Sequence, residues 1–215
     1  MIDTRIMALC ELSQDLLFHK IPPDRLGYYV NESLLAGERA AREFSGRDIN
    51  ELYHQHNIEI EFKEKSALAL SVTLRGQAIM GKDKCKVVVY TDSIKALTTN
   101  SEYDGMPAMD YDLALKIHLA HEFFHFWEYK TDTSIVESLD SVITFRLFGF
   151  SRRAKINCCG EIAAHSFVKN LLALPCLPNL YDYLYLIGNG KMTKEAFDNK
   201  IARLRAHLQF TTQAQ

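Results

Sequence analysis

Residues 116–130 read KIHLAHEFFHFWEYK, with three histidines, two glutamates and a tryptophan in an otherwise mostly apolar stretch. Helical spacing runs from about Asp110 to Tyr129. Phe123, Phe124, Phe126 and Trp127 are packing residues, so this helix has to lie inside the fold. Burying polar groups without partners costs about 1–3 kcal/mol each, so the fold must also give the histidines and Glu122 something to bind. Positions i and i+4 share a helix face one turn apart. His121 and His125 can therefore reach one ion, and Zn²⁺ suits two imidazoles. Glu122 lies one position round from His121, poorly placed as a ligand but able to reach a water held there. The pattern matches H-E-x-x-H, whose carboxylate serves as general base in hydrolysis. The competing reading makes His121 and His125 core histidines bonded to backbone.

A catalytic zinc takes three protein ligands and keeps a fourth position open. Downstream, CCGEIAAHSFVKNLLALP (158–175) supplies Glu161 and, one turn on, His165. Glu161 is the expected third ligand, with His165 behind it, hydrogen-bonded to a ligand. His165 itself is the competing ligand, and Glu137, Asp140, Cys158 and Cys159 are weaker candidates. His118, three residues before His121, reads as a satisfied core residue or as a neighbour of Glu122 lining the cleft. Glu128 and Tyr129 lie one turn beyond His125 and are not counted in the site. Tyr103, Tyr111 and Tyr129 are candidate donors to an oxyanion.

Around these segments the period of the apolar pattern changes. Helices are expected over 3–19 and 22–44, with a short third whose cap is Asp48, spaced with Glu51 as in a capping box. IEIEF (58–62) and ALALSVTL (67–74) alternate as strands do, Ala78–Met80 continues the sheet, and KVVVY (86–90) is a compact apolar strand. The stretch 91–107 reads as polar and irregular, 134–148 as helical, 159–173 and 193–208 as helices, and 177–190 as ambiguous. The fold class is α+β, as a single domain over 1–215. It has a helical part (1–56), a small sheet (57–90), metal-site helices (108–175) and a C-terminal helical part (176–215).

Five cysteines, two of them adjacent and none in CxxC, do not make a secreted disulfide framework. The early Asp3 and scattered polar residues do not make a signal peptide. No apolar run approaches a membrane span, and the expectation is a cytoplasmic protein without a membrane partner. A net charge of −2 and short basic clusters argue against direct nucleic-acid binding.

LAHEFFH (119–125) and EIAAHSFVKNLLALP (161–175) together resemble the ImmA/IrrE family of zinc metallopeptidases, whose helices read approximately LAHELGH and ExxANxFAxxLLMP. Ala164, Phe167, Leu171, Leu172 and Pro175 fall on or beside that pattern. His165 stands where the family has Asn, and Phe124 replaces a small residue, which would crowd the helix face opposite the metal. The resemblance implies a zincin-like, gluzincin arrangement, with His121, His125 and Glu161 on zinc and Glu122 as base. It implies an endopeptidase acting on a protein substrate such as a DNA-binding repressor. The alternative is a metal-binding regulator that captures a partner without cutting it. No helix-turn-helix is evident, so any effect on DNA runs through a partner.

Overall fold

The alternating stretch in the middle of the chain becomes a small sheet, and the helical stretches on either side of it share one hydrophobic core. A computed structural model of the chain describes residues 3–64, 75–81, 84–98 and 107–212. The expected strand 67–74 lies outside the described residues.

Helix α1 (Thr4–Leu12) is capped by Asp3, whose carboxylate accepts from Arg5 N–H, and buries Ile6, Met7, Leu9 and Leu12. It stops well short of residue 19. Asp15 draws the chain out of the helix, accepting from Leu17 N–H at 2.8 Å and from Cys158 N–H at 3.0 Å. Leu16 is left 90 % exposed. A 3₁₀ turn, Phe18–Lys20, follows, and a second, Pro23–Arg25, takes up the start of the expected second helix. Helix α2 spans Leu26–Glu43 and α3 spans Ile49–Gln55, with Asp48 as its cap.

Strands β1 (Ile58–Lys63), β2 (Gly76–Met80) and β3 (Cys85–Tyr90) form a sheet of order β1-β3-β2. β1 runs parallel to β3 and β2 antiparallel to it, so Val87 faces Ile60 on one side and Ala78 on the other. The central strand is buried through Val87, Val88, Val89 and Tyr90. Part of the segment read as irregular is helix α4 (Thr91–Ala96), which buries Ser93 and Ile94.

Helix α5 (Tyr111–Thr131) starts at Asp110, which accepts from Leu113 N–H at 2.7 Å. It ends where Asp132 turns left-handed at φ 53°. The helix expected over 134–148 is not there. A single turn, α6 (Ile135–Ser138), gives way to a hairpin of β4 (Val142–Leu147) and β5 (Phe150–Ala154). The β-branched run Val142-Ile143-Thr144 favours the strand. Phe148 (φ 43°) and Gly149 (φ 84°) close a two-residue turn, both left-handed as a tight hairpin requires.

Helix α7 (Cys158–Leu171) then returns through the core, followed by α8 (Asn179–Gly188), which resolves the ambiguous segment, and α9 (Lys194–Thr212). α7 lies against both α2 and α5, and α5 also packs on the sheet. The approach of α2 to α7 depends on Gly37, where a Cβ would fall 2.0 Å from the carbonyl oxygen of Ala163. Ser166 Oγ donates to the Leu34 carbonyl across the same seam at 2.6 Å.

Candidate metal centre

The aromatic face of α5 holds its polar face in place. Phe123 packs against Phe44, Tyr53 and Phe167, and Tyr53 donates its hydroxyl to the Leu119 carbonyl at 2.9 Å. Phe124, expected to crowd the helix, is 2 % exposed and packs on Phe167 of α7, with ring centroids 5.6 Å apart. It joins the HExxH helix to the helix that carries Glu161.

That junction brings His121, His125 and Glu161 together, with donor atoms all within 4.8 Å of one another. The two Nε2 atoms are 3.2 Å apart. Glu161 Oε2 is 3.2 Å from His121 Nε2, and Oε1 is 3.7 Å from His125 Nε2. Three ligands bound tetrahedrally to Zn²⁺ at about 2.0–2.1 Å would lie about 3.3 Å apart, so the donor set fits that ion. The Glu161 side chain is 46 % exposed, which leaves the cluster open to solvent on one side.

Without an ion, His121 and Glu161 hold each other as a pair. Burial by itself drives the His121 imidazolium towards neutrality, but the Glu161 carboxylate outweighs burial and raises its pKa to about 9. Burial likewise pushes the Glu161 carboxyl upward, and the hydrogen bond and charge of His121 hold it well below the usual carboxylate range.

Glu122 lies between the two histidine positions on α5, 12 % exposed, with Oε1 3.8 Å from His118 Nε2. Its charge is among those that raise His121. His118 is buried under β2, where Gly76 makes room: a Cβ there would stand 1.9 Å from His118 Nε2. Of the two expectations for His118, the satisfied core residue fails, because Nε2 has no hydrogen-bond partner. Burial and the nearby charges of His121 and Arg75 lower its pKa to about 3, so it is neutral beside Glu122.

His165 is outside the ligand cluster. Its ring lies against that of His121 at 5.1 Å, and its Nε2 faces Glu11 Oε2 at 3.8 Å. It makes no hydrogen bond to a ligand, contrary to expectation, and its Nδ1 is buried without a partner. Burial and the charge of His121 lower its pKa to about 3.

The weaker ligand candidates go elsewhere. Asp140 pairs with Arg25, Glu137 lies in the single turn α6, where its N–H donates to Ser134 Oγ, and burial pushes the Cys158 thiol up to about 12 and that of Cys159 to about 11. All five cysteines are free thiols. Tyr111 stands at the start of α5, about 15 Å along the helix from His121 at 1.5 Å per residue. Tyr129 is 53 % exposed, and Tyr103 lies outside the described residues.

Four residues near the site were not expected. Glu128, not counted in the site, has Oε2 3.6 Å from His125 Nδ1 while its Oε1 accepts from Ile135 N–H at 2.8 Å. A carboxylate on the far nitrogen of a ligand histidine orients the ring and fixes its tautomer. Spacing carried that signal, since residues three apart share a helix face. Glu11 on α1, held by Asn179 Nδ2 at 3.2 Å, meets His165 from the other side. Arg75 and Asp182 form an ion pair at 2.5 Å, and the Arg75 charge reaches both His118 and His165. No motif links these positions in the sequence.

Comparison of the chain with protein-family models, with curated proteins and with solved structures finds no match. What can be said of function rests on the site itself.

Proposed function

We propose that the chain is a zinc-dependent endopeptidase of zincin-like build, acting on a protein substrate. The observation that carries this reading is the spacing of three donors, 3.2, 3.2 and 3.7 Å, from two imidazoles and a carboxylate on two helices. It is joined to a glutamate placed as H-E-x-x-H requires.

His121 and His125 would hold the ion through Nε2, and Glu161 through its carboxylate. Bound Zn²⁺ supplies Lewis acidity, bringing a water's pKa down to about 7. The remaining roles belong to the chain. Glu128 faces His125 Nδ1 at 3.6 Å and would orient the ring with Nε2 towards the ion. Glu122 takes the proton from the attacking water and delivers it to the leaving amine, the usual cycle of a general base. His118, neutral and buried, walls Glu122 from bulk solvent without adding a competing positive charge. The exposed side of Glu161 is where a substrate would reach the cluster.

The resemblance of the two motifs makes a DNA-binding repressor the first substrate to try, and the free cysteines accord with a reducing, cytoplasmic setting. Among the described residues no helix is long and apolar enough to cross a membrane.

The test is Glu122→Gln, which keeps shape and ligands but removes the base. The purified wild type should carry about one Zn²⁺ per chain. The variant should keep its zinc while cleavage of a candidate repressor falls by about 10²–10⁴-fold or more. Equal cleavage by both proteins would remove the mechanism. Tight binding of the repressor by both, with no cleavage by either, would make the chain a metal-binding regulator instead. Absence of zinc from the wild type, with none taken up on titration, would remove the metal.

A further inference from the structure

The hairpin β4–β5 takes no part in the metal cluster, and its sequence, VITFRLFGFSRRA (142–154), holds three arginines and no acidic residue. The ladder sets Phe145 opposite Arg152 and Leu147 opposite Phe150, and residues opposed in this way project from one face. Phe145 and Leu147 are 50 % exposed, Phe150 67 % and Phe148, at the turn, 99 %. Leu16 is also exposed, next to the Phe18–Lys20 turn on which β4 packs. Arg146, Arg152 and Arg153 are exposed and form no ion pair with any described residue. Phe148 occupies a left-handed conformation in which a bulky side chain is strained. A hairpin turn of this kind is better served by asparagine or glycine, so the aromatic at the apex is not there for the turn.

We propose that this hairpin anchors the protein to an anionic phospholipid surface. Phe148 stands at the apex, and Phe145, Leu147 and Phe150 share one face, on which Phe145, Phe150 and Arg152 line an open hollow with Leu17. The interfacial region of a bilayer receives apolar groups from the apex and from the face alike. A second copy of the chain is a poor occupant, because it would bring together two hairpins that each carry basic and no acidic residues. Arginine rather than lysine suits phosphate, which its planar fork binds through two hydrogen bonds. Each basic residue near an anionic leaflet contributes about fivefold in affinity, and inserted apolar side chains add to this. The sequence contains no membrane span and led to the expectation of no membrane partner. Interfacial binding by a hairpin tip needs no span, so that expectation does not reach this surface. The inference is independent of the metal reading.

The test is flotation of the full chain with vesicles of phosphatidylcholine mixed with phosphatidylglycerol, and with vesicles of phosphatidylcholine alone. The wild type should float with the mixed vesicles, stay in solution with the neutral ones, and be released by high salt. Phe148→Asn keeps a residue that tolerates positive φ, so the turn survives, and binding should fall about tenfold. Arg152→Ser combined with Arg153→Ser should lower binding about 25-fold. Circular dichroism of both variants should match that of the wild type. The proposal is overturned if the wild type ignores the anionic vesicles, or if Phe148→Asn and the double arginine variant float as well as the wild type. It is also overturned if the chain binds duplex DNA or polyglutamate while leaving the vesicles unbound.

Discussion

Replacing Gly37 by alanine tests the seam that positions the Glu161 helix. In an ordinary helix interior this change stabilises by about 1 kcal/mol, because glycine surrenders more backbone freedom. Here the added Cβ meets Ala163 O at 2.0 Å, Phe167 N at 2.7 Å and Ser166 Cβ at 2.8 Å. Two of these are backbone atoms of α7, so no side-chain rotation relieves them. Apolar contacts settle at about 3.5–4.0 Å, so the helices have to part by on the order of 1 Å. Overpacking of this kind costs about 1–3 kcal/mol. Parting also weakens the Ser166 Oγ bond to Leu34 O, for about 1 kcal/mol more. Set against the gain in helix propensity, the net loss is about 1–3 kcal/mol. In a chain of this length it lowers Tm by about 2–12 °C. Urea and thermal unfolding of the metal-free protein measure it, with zinc affinity as a second readout, because α7 carries Glu161. Gly27→Ala in the same helix is the control. It meets nothing nearer than Arg5 Nη2 at 4.0 Å, so it should be neutral or stabilising by up to about 1 kcal/mol. A Gly37→Ala protein that melts at or above the wild type would refute the argument that contact with α7, rather than propensity, governs this position.

Glu128→Ala leaves the Nδ1 side of His125 without its carboxylate and should weaken zinc binding about 10–100-fold in competition with a chelator, while Glu128→Gln, which can still accept from Ile135 N–H, should lose less. Equal affinity of Glu128→Ala and wild type would show that the carboxylate does not orient the ring. Zinc uptake should also depend on pH. With the His121 pKa raised to about 9 in the metal-free protein, the imidazole is protonated at neutral pH and must lose its proton to bind. Affinity should therefore tighten about tenfold per pH unit on going from about pH 7 to pH 8, with about one proton released, and level off above about pH 9. Calorimetry in buffers of different ionisation enthalpy counts the proton. An affinity flat across that interval would mean His121 is already neutral.

How much of this could be read from the chain depends on the distance over which each feature is decided. The misreading of 134–148 shows the limit locally. Its apolar residues fit a helix as well as a strand over so short a run, and the turn that forces the hairpin uses Phe148, which no turn preference announces. The stop at Leu12 was equally hidden, since it depends on Asp15 bonding to Cys158 N–H across the fold. Nothing in the sequence shows that Phe167 waits opposite Phe124, so a bulky residue there looks crowding until the helices pack.

The sequence by itself determined the half of the site that lies within one helical turn. Backbone hydrogen bonding sets the rise and rotation of a helix, so once 110–131 is helical, His121 and His125 must share a face with Glu122 beside them. The same local rule places Glu128 on the His125 face. Tertiary structure decided the rest. Glu161 joins the histidines because Phe124 and Phe123 lock α7 to α5, and because Gly37 lets α2 press α7 from behind. Glu11, Arg75 and Asp182 approach from α1, the start of β2 and α8, and the neutrality of His118 and His165 follows from the burial those elements impose. Such contacts bring together residues far apart in the chain, where no periodicity relates one side chain to another. Packing alone chooses which of them meet.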